Sequence, residues 1–194
     1  MLNNLKIKVG QEELTNSIDC EVLVCYLYQD IRPPKGIIGA LDWRLNNLVS
    51  KLIRDKKLNG SFGEVSLIAT QGKFLIPKFL LLGCGKYSDF NLDKLDLLWK
   101  DIVVVIGKMK LLNFGILFEE FLIKIFNVHS YLKIVLENLV GDNHSRALLM
   151  EKMILYFLVN GTAKDCYETR EYIKTISGKE RYNSILEPTE EDEG

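Results

Sequence analysis

The sequence is poor in the residues that most directly reveal chemistry. Its 194 residues include two histidines and four cysteines, none at the spacing of a zinc site. His129 and His144 fall in predicted loops, and we interpret both as surface residues rather than ligands or general bases. No Cys-x-x-Cys pair occurs, so the cysteines are interpreted as buried, reduced thiols. They are Cys20, Cys25, Cys84 and Cys166.

Long hydrophobic runs are also missing. No uncharged apolar run approaches the ~20 residues that a membrane-spanning helix needs. The first nine residues alternate apolar and polar side chains as a half-buried strand does, without the apolar centre of a signal peptide. We therefore expect a cytoplasmic protein that has no membrane partner.

The charge of the chain is close to balanced. Its net charge is −1, with 25 basic and 26 acidic residues. Five of the carboxylates lie in residues 187–194, which leaves 21 acidic residues elsewhere. Residues 1–186 therefore carry 25 basic and 21 acidic side chains. This small excess of positive charge is too weak to predict a nucleic-acid partner, and none is expected. Lys51, Arg54, Lys56 and Lys57 cluster, but solvation at a helix end explains them. A DNA-associated regulator remains an alternative function, and it requires a basic stripe on the surface and DNA binding that weakens steeply with salt concentration.

Hydrophobic periodicity predicts one three-layer α/β domain over residues 1–186, followed by a disordered acidic tail over 187–194. Residues 22–28 form a continuous apolar run, which is typical of a strand covered on both faces. The predicted strands are 5–9, 22–28, 64–70, 79–82, 114–118, 132–140 and 172–176. The predicted helices are 37–58, 92–111, 119–127 and 146–159, with Asn91 or Asp93 as the cap of the second.

One segment has the setting of a phosphate-binding loop. Gly83, Gly85 and Lys86 follow an apolar strand and precede a helix. The phosphate-loop and dinucleotide patterns both fail, because residue 87 is tyrosine and residue 88 is serine. A structural turn and a ligand-binding loop both remain open.

The acidic residues carry no catalytic signature. Glu12–Glu13 and Glu119–Glu120 are adjacent pairs, whose side chains do not face the same side of a helix or strand. We therefore predict no catalytic residue, no metal ligand and no cofactor.

Four motifs occur in an order that is typical of one family. They are Asp-Cys-Glu-Val-Leu-Val at 19–24, Gly-Ala-Leu-Asp at 39–42, Asn-Gly-Ser-Phe-Gly-Glu at 59–64 and Phe-Leu-Leu-Leu-Gly-Cys-Gly-Lys at 79–86. Together they resemble the N-terminal domain of the leucine (cytosol) aminopeptidase family over roughly residues 18–115. The resemblance implies a macrodomain-like α/β/α fold with a mixed central sheet.

The resemblance also limits the expected activity. In that family a second domain with two divalent metals carries the chemistry, and its Asn-Thr-Asp-Ala-Glu-Gly-Arg-like signature matches no position here. No catalytic residue is carried over, so no enzymatic activity is expected. Macrodomains that bind ADP-ribose usually follow the early strand with Asn-Ala-Ala-Asn and a glycine-rich loop, and both are missing here.

Two functions follow as hypotheses. The first is a stand-alone, non-catalytic domain that acts in assembly or regulation by association with itself or with a full-length aminopeptidase. Its surface would use whichever of Tyr26, Tyr28, Trp43 and Trp99 are exposed. The alternative is a macrodomain-type module for a nucleotide-like or anionic small ligand. Its candidate residues are Asp30, Gly36, Gly83, Gly85 and Lys86.

Overall fold

The fold is seen in a computed structural model that describes residues 5–11, 19–141, 153–159, 163–177 and 186–188. Within these ranges the chain forms seven strands and six α-helices. The strands are β1 Leu5–Gln11, β2 Val22–Tyr28, β3 Val65–Ala69, β4 Lys78–Gly85, β5 Asn113–Phe118, β6 Met153–Val159 and β7 Leu186–Pro188. The helices are α1 Gly36–Arg44, α2 Leu48–Arg54, α3 Leu92–Met109, α4 Glu120–Ile123, α5 Val128–Gly141 and α6 Ala163–Ser177.

The strands form one mixed sheet in the order β3-β4-β2-β5-β6-β1-β7. Strand β3 is antiparallel to β4, and the other neighbouring pairs are parallel. The chain runs from β2 to β4 on one side and then crosses to β5 on the other. The carboxyl end of β2 is therefore the point where the direction of winding reverses, which is where ligand crevices form in open α/β sheets.

The core lies on both faces of β2, as its apolar run predicts. All seven residues of β2 are buried. Tyr26 and Tyr28 contribute to the cluster that α3, α5 and α6 cover, whereas Leu27 packs on the side of α1 and α2. The three-layer α/β/α architecture with a mixed sheet is thus confirmed.

The helix predicted over 37–58 is two helices, α1 and α2. The chain breaks at Asn46 and Asn47, whose φ angles of 54° and 61° place both in the left-handed region. Asparagine tolerates this conformation better than most residues. Beyond the break, the Asp42 carboxylate accepts hydrogen bonds from the amide and the hydroxyl of Ser50. These bonds secure the first turn of α2 against α1.

Helix α3 agrees closely with its prediction. It begins at Leu92, and the Asn91 side chain accepts a hydrogen bond from the Lys94 amide at 3.0 Å. This is the cap that the sequence suggests. Strands β1 to β5 and the short helix α4 also lie within a few residues of their predicted bounds.

Three predictions in the C-terminal third are wrong. Residues 132–140 belong to helix α5, residues 153–159 of the predicted helix form strand β6, and residues 172–176 belong to helix α6. Both α5 and β6 are rich in apolar residues because they lie deep in the fold, and periodicity alone separates buried helices from buried strands poorly. Residues 146–152 lie outside the described part of the chain.

The remaining sequence predictions concern single residues. All four cysteines are buried thiols that form no disulfide, as predicted, and burial raises the pKa of Cys20 to about 12. His129 is on helix α5 rather than in a loop, where its ring stacks on Tyr172 at 4.2 Å. His144 lies outside the described residues.

Strand β7 includes Glu187 and Pro188 and pairs with β1, so the prediction of disorder does not hold for these two residues. Residues 189–194 of the predicted tail lie outside the described ranges. Among the described residues, no helix is both long and apolar enough to cross a membrane.

Candidate functional site at the carboxyl end of the central strand

The structure divides the predicted ligand residues into two groups. Asp30 lies beside the turn after β4, because its carboxylate accepts a hydrogen bond from the Tyr87 amide at 2.8 Å. Gly83 and Gly85 end β4, and the exposed Lys86 follows them. Gly36 lies apart from this turn, at the start of α1.

The amides of Gly83 and Gly85 are engaged within the protein. Gly83 donates to the Glu64 carbonyl at 2.7 Å, and Gly85 donates to the Gly60 carbonyl at 2.8 Å. A Cβ at Gly83 would collide with the Ser61 carbonyl oxygen, so glycine is required there by close backbone approach. These two amides therefore fasten the 60–64 loop and do not point at a ligand.

A neighbouring cradle of amides is filled by a carboxylate of the chain itself. The Glu64 side chain accepts hydrogen bonds from the amides of Asn59, Gly60 and Ser61. Successive amides in such a turn, with Gly60 at φ +72°, form an anion-binding concavity. The loop is closed from the other side by Arg32, whose guanidinium donates to the Asn59 carbonyl at 2.8 Å.

A buried carboxyl that the sequence reasoning missed, that of Glu119, lies in a cleft between β2, β5 and α1. This cleft is partly open to solvent, and its interior has room for about one water molecule. Glu119, immediately after β5, is only 3% exposed, and its carboxyl accepts a hydrogen bond from the Ile37 amide in the first turn of α1. The carboxyl is thus the hydrogen-bond acceptor for one of the first-turn amides that have no partner within the helix.

Burial dominates the electrostatics of Glu119. Removal from water raises the pKa of its carboxyl from 4.5 to about 8, and the Ile37 hydrogen bond only partly opposes this. Its Oε2 atom is buried and has no hydrogen-bond partner among the described residues. A Cβ at Gly36 would lie 2.7 Å from this oxygen, and the φ of +58° at Gly36 also favours glycine.

Glu119 and Glu120 are adjacent in the sequence but differ strongly in burial. Glu120 is exposed and pairs with Lys124 at 2.6 Å, whereas Glu119 points into the fold. The position of Glu119 in the sequence could have indicated a site residue, because Glu119 directly follows an apolar strand at the reversal point of the sheet.

Tyr28 also lines this cleft, and its hydroxyl is a second buried polar atom without a partner among the described residues. Burial raises the pKa of Tyr28. Its ring packs against Tyr87 at 5.2 Å and Phe121 at 6.0 Å between centroids. Tyr26 differs, since its hydroxyl bonds to the Tyr131 hydroxyl and accepts from the Trp99 indole.

The four aromatic residues proposed for association differ strongly in solvent exposure. Tyr26, Tyr28 and Trp99 are buried, whereas Trp43 is 78% exposed. The other three are therefore excluded as surface anchors, which corrects the candidate set.

Trp43 lies on an organised part of the surface. The next residue, Arg44, stacks over the Phe74 ring at 4.7 Å and donates to the Lys73 carbonyl. Leu75 follows Phe74 and is 65% exposed. The Arg44 contact holds the β3–β4 loop on the end of α1, and Trp43 and Leu75 are the exposed sequence neighbours of Arg44 and Phe74. We call Trp43, Arg44 and Leu75 the Trp43 face.

No metal-binding arrangement is found in the described ranges: within them, no group of three or more His, Cys, Asp and Glu side chains could hold a metal ion.

Solved structures place the fold in the macrodomain class. The chain aligns with a Trypanosoma brucei macrodomain in complex with ADP-ribose at a TM-score of 0.61 and 19% identity, over 88% of this chain and 68% of the other. It also aligns with a tomato leucine aminopeptidase mutant at a TM-score of 0.60 and 15% identity, over 91% of this chain and 38% of that one. These likenesses show the fold.

The sequence comparison then identifies the family. The model of the cytosol aminopeptidase family, N-terminal domain, matches residues 24–147, which is more than half of the chain. The chain belongs to this family. A probable cytosol aminopeptidase from Buchnera aphidicola is 30% identical over 116 residues, which are 60% of this chain and 22% of the relative. The chain thus spans about a fifth of the length of this curated relative.

Proposed function

We propose that this domain has no catalytic activity of its own and acts in assembly or regulation by protein association through the Trp43 face. The observation that carries the proposal is the 78% exposure of Trp43 beside an anchored arginine. Tryptophan and arginine are the residues most enriched among interface positions that dominate binding energy.

The Trp43 face is prepared for binding before a partner arrives. Arg44 is held by Phe74 and by the Lys73 carbonyl, so little side-chain entropy remains to be lost there. The partner that we propose is a second copy of this chain or a full-length aminopeptidase of the same family. The family's name and its relatives favour a cytoplasmic location, which is part of the proposal.

Sedimentation velocity tests this function with matched variants. We expect the chain to self-associate or to co-sediment with a purified full-length aminopeptidase, and Trp43→Ala to weaken that association at least about tenfold. The control is Leu97→Ala, which removes a 52% exposed side chain from α3, outside the Trp43 face. A chain that stays monomeric alone and in the mixture would refute the proposal, as would equal assembly by Trp43→Ala.

The alternative function is binding of a nucleotide-like or anionic ligand at Asp30, Gly36, Gly83, Gly85 and Lys86. It is supported by the likeness to a macrodomain described in complex with ADP-ribose. The geometry favours it less, because the Gly83 and Gly85 amides already donate to backbone carbonyls. Calorimetric titration with ADP-ribose distinguishes the two functions. Binding that Lys86→Ala weakens and Lys56→Ala leaves unchanged would favour this alternative.

A further inference from the structure

Strand β3 forms one edge of the sheet. Among the described residues, its only neighbouring strand is β4. Backbone hydrogen bonds join the two strands at Glu64 and at Thr70, on either side of β3. Because bonded residues alternate in an antiparallel pair, the even-numbered residues between them bond to β4 and the odd-numbered residues direct their amides and carbonyls outward. These outward-directed residues are Val65, Leu67 and Ala69.

This edge lacks the features that usually keep edge strands from pairing with other chains. Such strands are commonly protected by charged side chains, proline or a bulge. Strand β3, with the sequence Val-Ser-Leu-Ile-Ala, has no charged residue and no proline, and it pairs with β4 in unbroken register. The preceding Glu64 directs its carboxylate to the amides of residues 59–61 and not to the edge. The outer side of β3 is therefore open to another strand.

The side chains of β3 also favour a partner on one face of the sheet. Ile68 packs in the core on the side of α1 and α2. Because side chains alternate along a strand, Val65 and Leu67 lie on the opposite face, and both are exposed although they are apolar. A strand added to this edge would bring its own side chains against these two.

We propose that β3 pairs with β3 of a second copy of this chain, antiparallel and about a two-fold axis through Leu67. In this arrangement Leu67 lies opposite Leu67 of the second copy, and Val65 lies opposite the small Ala69. The outward-directed residues then face each other and can exchange about six backbone hydrogen bonds. The strand is complementary to itself, because it carries no charge that would meet a like charge across the axis.

The contact is small, so the dimer should be weak. Stable interfaces involve roughly 20–30 residues on each side, whereas β3 has five. Pairing should therefore become prominent near millimolar concentration and contribute little at the micromolar concentrations that suit sedimentation velocity. The proposal does not rest on the Trp43 face, because α1 packs on the opposite face of the sheet from the exposed Val65 and Leu67.

Amide hydrogen exchange of the wild-type chain tests the pairing directly, read residue by residue at micromolar and at millimolar concentration. The outward amides of Val65, Leu67 and Ala69 should exchange at least about threefold more slowly at the higher concentration. The amides of Ser66 and Ile68 bond to β4 and should exchange slowly at both concentrations, which provides an internal reference. Equal exchange of the three outward amides at both concentrations would refute the proposal, even if the chain assembles through another surface.

Matched variants then test the two-fold arrangement. Leu67→Lys places two like charges at the axis and should abolish the protection of the Val65 and Ala69 amides. Leu97→Lys adds the same charge to an exposed position on α3 and should leave that protection unchanged. Trp43→Ala should also retain it, which separates this proposal from the Trp43 face. Protection that persists in Leu67→Lys, or that disappears in Trp43→Ala, would contradict pairing through β3.

Discussion

The buried carboxyl of Glu119 predicts how the stability of the protein depends on pH. Its pKa is 4.5 when exposed and about 8 in the folded protein. Between these values the unfolded chain releases this proton and the folded protein keeps it, so the folded state binds more protons. The free energy of unfolding should therefore fall as the pH increases from about 4.5 to 8.

The size of this effect follows from the same two pKa values. Each pKa unit is worth about 1.4 kcal/mol, so the full difference corresponds to at most about 5 kcal/mol. Water penetration and local relaxation lower that limit, and we expect a loss of about 2–4 kcal/mol. Glu119→Gln keeps the shape of the side chain and cannot ionise. The free energy of unfolding of Glu119→Gln should therefore increase steadily relative to that of the wild type as the pH rises.

Urea unfolding at a series of pH values from 5 to 9 measures this effect. The difference between wild type and Glu119→Gln isolates one titration, because other groups contribute equally to both proteins. Glu120→Gln is the matched control, since that carboxylate is exposed and its replacement should leave the pH dependence of stability between pH 5 and pH 9 almost unchanged. A wild-type to Glu119→Gln difference that is constant between pH 5 and pH 9 would refute the reasoning.

Three further predictions concern packing and activity. Gly36→Ala should destabilise the protein by about 2–4 kcal/mol in urea unfolding, because of the positive φ and the contact with Glu119. Wild-type stability in that variant would contradict the described start of α1. Tyr26→Phe should cost about 1–2 kcal/mol, since Tyr131 loses its hydroxyl partner, whereas exposed Tyr167→Phe should cost almost nothing. Finally, the purified chain should not hydrolyse leucine 4-nitroanilide when zinc or manganese is added. Metal-dependent hydrolysis would refute the proposal that the domain is non-catalytic.

The N-terminal half of the fold could be predicted because its signals are local. The apolar run of β2 requires cover on both faces, and α3 begins at an asparagine cap before an amphipathic pattern. The sequence motifs at 19–24, 39–42, 59–64 and 79–86 then placed these elements in one family. Their order carried more information than any one of them.

The C-terminal third could not be assigned in the same way. Helix α5 buries Tyr131, Leu132 and Val135 against the sheet and α3, so its few polar positions give a weak period. Strand β6 lies between β5 and β1 and is apolar almost throughout. In both elements the tertiary setting, rather than the local pattern, decides between helix and strand.

The candidate sites depended even more on tertiary structure. Burial separates Glu119 from the adjacent Glu120, and only the fold shows that Tyr28 shares a cleft with Glu119. The requirement for glycine at position 83 and the hydrogen bonds from Gly83 and Gly85 to the 60–64 loop arise from a part of the chain about twenty residues away, which the local sequence does not indicate.

The central claim is that Trp43 becomes buried against a partner, and hydroxyl-radical footprinting of this side chain tests it most directly. Trp43 in the free monomer should be oxidised rapidly, whereas the buried Trp99 serves as an internal reference that reacts slowly in every state. The account predicts strong protection of Trp43 at high concentration of the chain or on addition of a full-length aminopeptidase. Oxidation of Trp43 that stays equally fast in the assembled and the monomeric samples would contradict it.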